Sequence, residues 1–598
     1  MNATAEPQLD LQIWARNLDS IATVDPELAS RLVETSQTLP PAQLARTRDG
    51  GLSFRLGDPN DQQSWFGETS IPRVRAEALL STFDPGHVNV LLPGIAEGTE
   101  VLLLIRRLGV HRAVFVWEEN LNNLVLALRL HDYAPAIHQE RLVLLATPLE
   151  GLTDTLIDWL DRHPGHYCPN RLMMWPWQKH QEIAALRTAV EAAYQQSEAR
   201  RSQQLANLRP RLAAAVRTGE ADAATIVCGM HVRDEVHALA DALVDASPTP
   251  ARSLVLRGPE DVHPLARVQR LHEAGPTDMA ILLDITRREI NDVLPGELPA
   301  VSWISIAGGI DGQIAKRLGH DRLAVTSTWL RNRAIAKGVA PGAVAVCPPP
   351  ALDFPAETDH PARDIDVLIV ADAAPLEPEA YGFTLPTVAQ LWTTTVDLMN
   401  ARIESLHDGE IVELLTRSEL MTGFRLSDDA VRSAMLDALT LHVAPMLLTR
   451  FYAAALVKEG LVVQLLGTGW PTGGSLGATP LPATLAERRE WLSRSQAMLY
   501  TDVTGGVSLT ALLAPPAGAL LLSRVHPHQA APGGLASLLE PETEYLSFRT
   551  GRELVERVRM LRSQERRVTE MRSAARARCL SEHTVARRLQ TLRSMVTS

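Results

Sequence analysis

Cysteine is scarce in this chain of 598 residues: Cys168, Cys228, Cys347 and Cys579 are scattered, and none belongs to a Cys-x-x-Cys pair. That scatter excludes a thiolate zinc site and a disulfide framework, and it is the pattern of reduced thiols. A basic excess is missing too. Lys and Arg total 58 against 70 Asp and Glu, a formal charge of −12. Binding to nucleic acid is driven by counterions displaced around basic surfaces, so it is not expected here. The opening "MNATAEPQLDLQIWARNLDS" lacks the basic segment and apolar core of a secretory leader. No apolar run approaches the roughly 20 residues that cross a bilayer. The expectation is a soluble, cytoplasmic protein without a transmembrane segment.

What is present is an ordinary globular composition, 45% hydrophobic and 21% charged, in a chain too long for one core. Residues 88–146 alternate short apolar runs with helix-period segments: "VNVLLPG", "EGTEVLLLIRRLG", "RAVFVWEE", "NLNNLVLALRLHD", "RLVLLA". That alternation predicts parallel strands with crossover helices. A polar-apolar stretch from Gln178 to Thr218 predicts a helical connector kinked near Pro210. A second series runs from "ATIVCGMHV" to "AVAVCPPP", and the proline-dense run after it marks a linker. A third begins at "IDVLIVAD", returns as "LVVQLLGTGWP", "AMLYTDV" and "GALLLSR", and closes in an arginine-rich helical tail. Acids are interleaved in that tail, so it predicts a solvated helix face. The expected divisions are 1–177, an α/β Rossmann-like domain; 178–222, a helical connector; 223–355; and 356–598.

Two consecutive Rossmann-like halves joined by a proline linker match the GT-B architecture of glycosyltransferases. The segments "HDRLAVTSTWLRNRAIAKGVAPGAVAVCPPPALDF", "RDIDVLIV", "GLVVQLLGTGWP", "GALLLSR", "LLEPETEYLSFRTGREL" and "SEHTVARRLQTL" resemble, in order and spacing, the CgeB-type (spore-maturation) glycosyltransferase-like family. The unit "VNVLLPGIAEGTEVLLLIRRLGVHRAVFVWEENLNNLVLALRLHDY" looks like one found in motility accessory factor glycosyltransferases, and more loosely like a methyltransferase core. The resemblance implies an α/β fold in which a GT-B pair, an acceptor-side domain and a donor domain with a closing helix, follows the additional Rossmann-like domain. It implies transfer of a sugar from a nucleotide-sugar to a hydroxyl of a protein or surface-glycan acceptor. The nucleotide-sugar is a co-substrate, no cofactor or metal is required, and a homo-oligomer is compatible.

Open α/β sheets place ligands beyond the carboxyl ends of their strands. Gly467, Thr468, Gly469 and Trp470 follow such a strand: glycine admits a ligand to the backbone, and the indole offers a flat face. The alternative is a tight strand-exit turn with a packed tryptophan. Thr504, Gly505, Gly506, Ser508, Leu509 and Thr510 form a glycine loop opening a helix, where free N–H groups and hydroxyls suit a diphosphate. The family's carboxylate is absent there, since no Asp or Glu lies between Asp502 and Glu540, and Pro515 and Pro516 must end the helix early. Arg524 is a candidate cation for the leaving group. His526 and His528 have a His-x-His spacing without a nearby third ligand, and read as exposed loop histidines.

In the acceptor-side half, His231 beside Gly229, Asp284 closing "AILLD" and Asp311 in "AGGIDGQ" are candidate general bases. In the N-terminal unit, Pro93, Gly94 and Gly98 form a Gly-x-x-x-Gly turn and Glu118 and Glu119 close the next strand, but Glu97 would repel a phosphate. Two other functions fit the sequence. The missing acid suits a degenerate glycosyltransferase acting as a sugar-nucleotide sensor or scaffold, and the N-terminal unit suits methyl or pyrophosphoryl transfer.

Overall fold

The computed structural model describes residues 10–58, 63–84, 86, 88–175, 180–214, 216, 224–228, 234–248, 251–255, 257–273, 275, 277–290, 293–305, 321–352, 363–470, 478–479 and 484–597. The chain divides into two compact units: 1–215 with 256–275, and 216–255 with 276–598.

In the first unit, β1 (Ala42–Arg46), β2 (Leu52–Leu56) and β3 (Ser64–Trp65) make an antiparallel ribbon. The strands β4 (Val90–Pro93), β5 (Val114–Trp117), β6 (Leu142–Leu145) and β7 (Arg171–Leu172) make a parallel sheet ordered β6-β5-β4-β7. Their runs are almost continuously apolar because the sheet is covered on both faces; Val90, Leu91, Leu92, Val114, Phe115 and Val116 are all buried. The expected connector is one α-helix, His180–Ala214, which continues for four residues past Pro210. It packs along the helix Leu152–Arg162 and the helix Pro264–Glu273.

The second unit holds two separate six-stranded parallel sheets. The first contains β8 (Ala224–Cys228), β9 (Ala251–Val255), β10 (Met279–Leu283), β11 (Ala300–Ile304), β12 (Arg322–Val325) and β13 (Val344–Val346), ordered β13-β12-β11-β10-β8-β9. The other contains β14 (Ile365–Val370), β15 (Val463–Leu466), β16 (Ala478–Thr479), β17 (Ser495–Tyr500), β18 (Leu520–Arg524) and β19 (Tyr545–Phe548), ordered β16-β15-β14-β17-β18-β19. In chain order the latter runs 3-2-1-4-5-6, the arrangement of dinucleotide-binding sheets. β14 is the pivot, with Val367 opposite Val463 on one side and Ala497 on the other. The fold is α/β, with two Rossmann-like parallel sheets preceded in the chain by a further Rossmann-like region.

One hydrophobic core runs through both six-stranded sheets of this unit, joining residues such as Ile281 and Val301 to Leu368, Met498 and Leu521. The closing helix Val585–Thr597 buries Leu589 and Leu592 in that core, and Arg593 Nη2 donates to Ser247 Oγ at 2.8 Å. The last strand's helix thus returns to the first sheet.

The expectation that no run is long enough to span a bilayer requires correction. Asp429–Lys458 is one continuous helical run that is long and apolar enough by length and composition, although 56% of its apolar window is buried inside the protein. Its polar residues are spread too thinly to break the hydrophobic stretch, and its inner face, including Leu447, Leu448 and Tyr452, completes the core over the second sheet.

Candidate functional site

The order of the second sheet reverses between β14 and β17, so the loops leaving these two strands diverge and open a crevice. A cavity of about 400 Å³ lies there, walled by the loop after β14, by Tyr381, by the turn after β17 and by the long helix at His442. His442 is carried on a π-helical stretch, Leu439–Val443, in which Ala444 N–H bonds Leu439 O five residues back. The cause is local: Pro445 has no N–H for the ordinary helical bond, and the helix re-registers before it. The Tyr381 ring stacks with His442 at 6.1 Å and 28°, and packs against Trp392 at 4.8 Å. Burial holds the His442 imidazole below its usual pKa. Asp502 lines the same cavity and accepts bonds from Thr504 N (2.8 Å) and Oγ1 (3.0 Å). Burial raises its carboxyl, with the nearby His526 pulling the other way.

The predicted turn at Gly467 to Trp470 does not line this crevice but is laced to the loop after β14 that does. Thr468 N and Oγ1 donate to Asp372 Oδ1 (2.8 and 3.0 Å), and Trp470 Nε1 donates to Ala371 O (2.8 Å). A Cβ on Gly467 would run into Ala371 O, and one on Gly469, at φ 78°, would lie 3.1 Å from Ala373 O. The glycines are therefore required by the close approach of two backbones, and the indole N–H is already used.

The predicted loop after β17 is likewise satisfied by the protein. Thr504 Oγ1 donates to Asp502 and accepts from Gly506 N (3.3 Å). Ser508 Oγ caps Ala511 N (3.2 Å), and Ser508 N itself donates to Tyr500 Oη (3.1 Å). The helix that follows is only Leu509–Leu513, with Leu509 buried, and it ends before Pro515 and Pro516 as their chemistry requires. Thr510 Oγ1 donates to Glu235 Oε1 (2.9 Å), at the start of the helix Asp234–Asp245 on the other sheet. Gly505 has φ 76°, and a Cβ there would strike the His526 ring; a Cβ on Gly506 would lie 2.9 Å from Ser327 Cβ. Arg524 is buried, with Nη1 on Glu404 O (3.2 Å) and Nη2 on Leu406 O.

Of the candidate bases, Asp284 accepts from Ser305 N (2.6 Å) and Oγ (2.5 Å), which ties the exits of β10 and β11 together. His231 and Asp311, with Gly229, lie outside the described residues. Between the two sheets a second cavity of about 440 Å³ is lined by Thr328, Arg333, Lys337, Asp408 and His528. His526 is buried rather than exposed as the sequence suggested. Its Nδ1 accepts from His528 N (3.1 Å) and its Nε2 lies 2.9 Å from Val503 O, which fixes the Nε2–H tautomer. With His407 and Asp408 it forms a trio of ligand atoms within 4.8 Å, the third partner that sequence spacing alone did not offer. As arranged the trio is not free to ligate: His407 Nδ1 caps Glu410 N (3.3 Å), and His526 Nε2 carries its proton.

The N-terminal glycine turn is packed from within its own unit. Glu97 is fully buried and accepts from Thr99 N (3.2 Å) and Oγ1 (2.6 Å), and a Cβ on Gly67 would lie 2.6 Å from Glu97 Cβ. Glu118 spends Oε2 on Ile95 N (3.1 Å) and Oε1 on Asn120 N (2.9 Å). Burial raises the Glu118 carboxyl.

Sequence reasoning missed Tyr381, His442 and Glu235 and passed over Asp502. The proline inside an apolar helical run was the available sign of the bulge that carries His442.

No curated protein matches the chain. Among solved structures it is similar to TarM, with 8% identity and a TM-score of 0.33 over 57% of this chain and 59% of that one. The chain therefore spans less than two thirds of TarM's length. It is also similar to HepE of Anabaena in complex with UDP-glucose, with 10% identity and a TM-score of 0.37 over 63% of this chain and 99% of that one. A third similar structure is the MAf glycosyltransferase from Magnetospirillum magneticum AMB-1, at 13% identity and a TM-score of 0.25, covering 57% of each chain. Residues 448–594 match the family model described as "Glycosyl transferase-like". Over that segment, which carries β15 through β19 and most of the closing helix, the chain is glycosyltransferase-like in sequence.

Proposed function

We propose that the protein transfers a sugar from a nucleotide-sugar to a hydroxyl of a protein or surface-glycan acceptor, with the donor in the crevice between β14 and β17. The observation that carries this reading is the match of residues 448–594 to the glycosyl transferase-like model, because that segment supplies β17, Tyr500 to Asp502 and the 504–510 loop. The crevice offers the chemistry a nucleotide needs: aromatic faces at Tyr381 and His442 for a base, and a carboxylate at Asp502 for hydroxyls. Arg333 and Lys337 place cations in the cavity between the sheets, where the acceptor would approach. No resident cofactor is required; the nucleotide-sugar is the co-substrate.

A second reading, binding without turnover, is favoured by one observation. The hydroxyls of Thr504, Ser508 and Thr510 and the guanidinium of Arg524 are already bonded within the protein. Calorimetric titration with a panel of nucleoside diphosphates, run beside nucleotide-sugar hydrolysis on the same samples, separates the two. Binding with hydrolysis supports transfer, binding alone supports a sensor, and the absence of any binding removes both.

A further inference from the structure

The strands β14 and β17 have a second cavity at their other ends. About 770 Å³ of space lies where these strands begin, under the helix Glu565–Glu582. Four guanidinium groups line it, Arg363 before β14, Arg562, and Arg572 and Arg576 on the overlying helix, against three carboxylates, Asp364, Asp366 and Glu565. Among the described residues only Arg562 is neutralised at contact distance, with Nε 2.5 Å from Asp366 Oδ1. Asp364, also in the lining, is turned to Arg494 outside it, at 3.0 and 2.5 Å.

Among the described residues the other three arginines bond to neutral groups or to none. Arg363 Nη1 donates to Ser495 O (2.5 Å), and Arg572 Nη2 donates to Gln496 O (2.8 Å) and Oε1 (2.6 Å). Arg572 Nε is buried without a hydrogen-bond partner. Arg576 makes no hydrogen bond or ion pair among the described residues. Burial, and then the like charge of Arg363, bring the Arg572 guanidinium down to about 10, with Glu565, which lines the same cavity, acting against them. Gathering like charges around a half-buried space is unfavourable unless an anion offsets them.

We propose that this cavity binds a small phosphorylated molecule, with Arg363, Arg572 and Arg576 converging on its phosphate oxygens. Three forked donors match a group with several acceptor oxygens and more than one negative charge better than they match a single carboxylate. The space is large enough for the rest of a nucleotide or a sugar phosphate. Because it lies at the amino-terminal ends of the strands whose carboxyl ends bound the proposed donor crevice, it is a separate site, and occupancy of one leaves the other open.

Titration calorimetry of the full chain with inorganic pyrophosphate tests this, with ATP and a hexose phosphate as further arms to identify the carrier. Arg576→Ala removes a guanidinium without a protein partner, so the fold should be kept; affinity at the site should fall at least tenfold, and Arg576→Lys should restore part of it. The same titration in Asp502→Asn, where the donor crevice is weakened, should retain the arginine-dependent binding. Hydrogen–deuterium exchange should show pyrophosphate protecting residues 565–582 in the wild type and not in Arg576→Ala. Equal affinity in wild type and in both Arg576→Ala and Arg363→Gln overturns the proposal. So does the absence of saturable binding, or association only with vesicles of anionic phospholipid.

Discussion

The hydroxyl of Thr510 lies 2.9 Å from Glu235 Oε1, and the other oxygen of Glu235 pairs with Arg488. Glu235 belongs to the helix Asp234–Asp245 beside the first sheet of the second unit; Thr510 and Arg488 belong to the other sheet. The acid missing from the 504–510 loop is thus supplied from across the junction. There it holds a helix in place, with its side chain 3% exposed and that of Arg488 7%.

Glu235→Ala takes away the carboxylate that Arg488 is buried against, which costs about 3–5 kcal/mol. Thr510→Val removes one hydrogen bond to a charged group, about 1.5–3 kcal/mol. Urea unfolding should rank the two variants in that order. A Glu235→Ala protein that unfolds at the wild-type midpoint would show that the pair does not hold the junction.

Gly505→Ala should also act on stability. The residue sits at φ 76° and any Cβ meets His526, so strain of about 1–3 kcal/mol is expected. Gly505→Asp adds bulk to the same collision, and its effect on ligand binding must be read against its unfolding midpoint. A wild-type midpoint for Gly505→Ala would mean that the loop and His526 are further apart than described.

The crevice makes a prediction about affinity. Asp502→Asn replaces a charged acceptor by a neutral one and should weaken nucleotide-sugar binding by about 1.5–3 kcal/mol, roughly ten- to a hundredfold. His442→Ala removes a stacking face worth about 0.5–1.5 kcal/mol. Calorimetry on both, with circular dichroism to confirm folding, checks this; unchanged affinity in both places the donor elsewhere.

In the first unit, acidification should cost stability in two steps of the same sign. Burial lowers the His166 imidazole from 6.5, so the unfolded chain takes up that proton first, and stability falls as pH drops below 6.5. Burial pushes the Glu140 carboxyl up, but hydrogen bonds from His163 and His166 outweigh it and hold the group down from 4.5 to about 2. Its contribution, on the order of 3 kcal/mol, is complete above 4.5 and disappears as pH falls toward 2. Urea midpoints at pH 7, 5 and 3 should fall less steeply below 4.5 in Glu140→Gln; parallel slopes would contradict the assignment.

The strands were legible because both faces of parallel sheets are covered, so "VNVLLPG" and "IDVLIVAD" announce themselves without their neighbours. Turn glycines were legible as turns, but their reason was not. Gly467 is required by Ala371 O, ninety-six residues earlier in the chain. The crevice was illegible for the same cause: Tyr381, His442 and Asp502 meet only once β14 and β17 are adjacent, and the sheet order is not written in either strand. His442 needed a further condition, the π-helical register imposed before Pro445. The hydroxyls read as ligand groups were visible as residues, while their partners, Asp502, Ala511 and Glu235, depend on loop geometry and on the second sheet.

The path of residues 256–275 ties the units together as threads, whatever their arrangement. After β9 the chain leaves the second unit, buries Leu265, Val268 and Leu271 in the first along the helix His180–Ala214, and goes back to form β10. β9 and β10 are the two neighbours of β8. The first unit is therefore not a detachable leader: a chain ended at Ala215 would lack one of its own core helices, and a chain begun there would carry that helix with nothing to cover it. Gene fusions, truncations and proteolytic nicks between the two will be tolerated only where both crossings are respected, and duplication or loss of either unit in descent would have to move two segments at once.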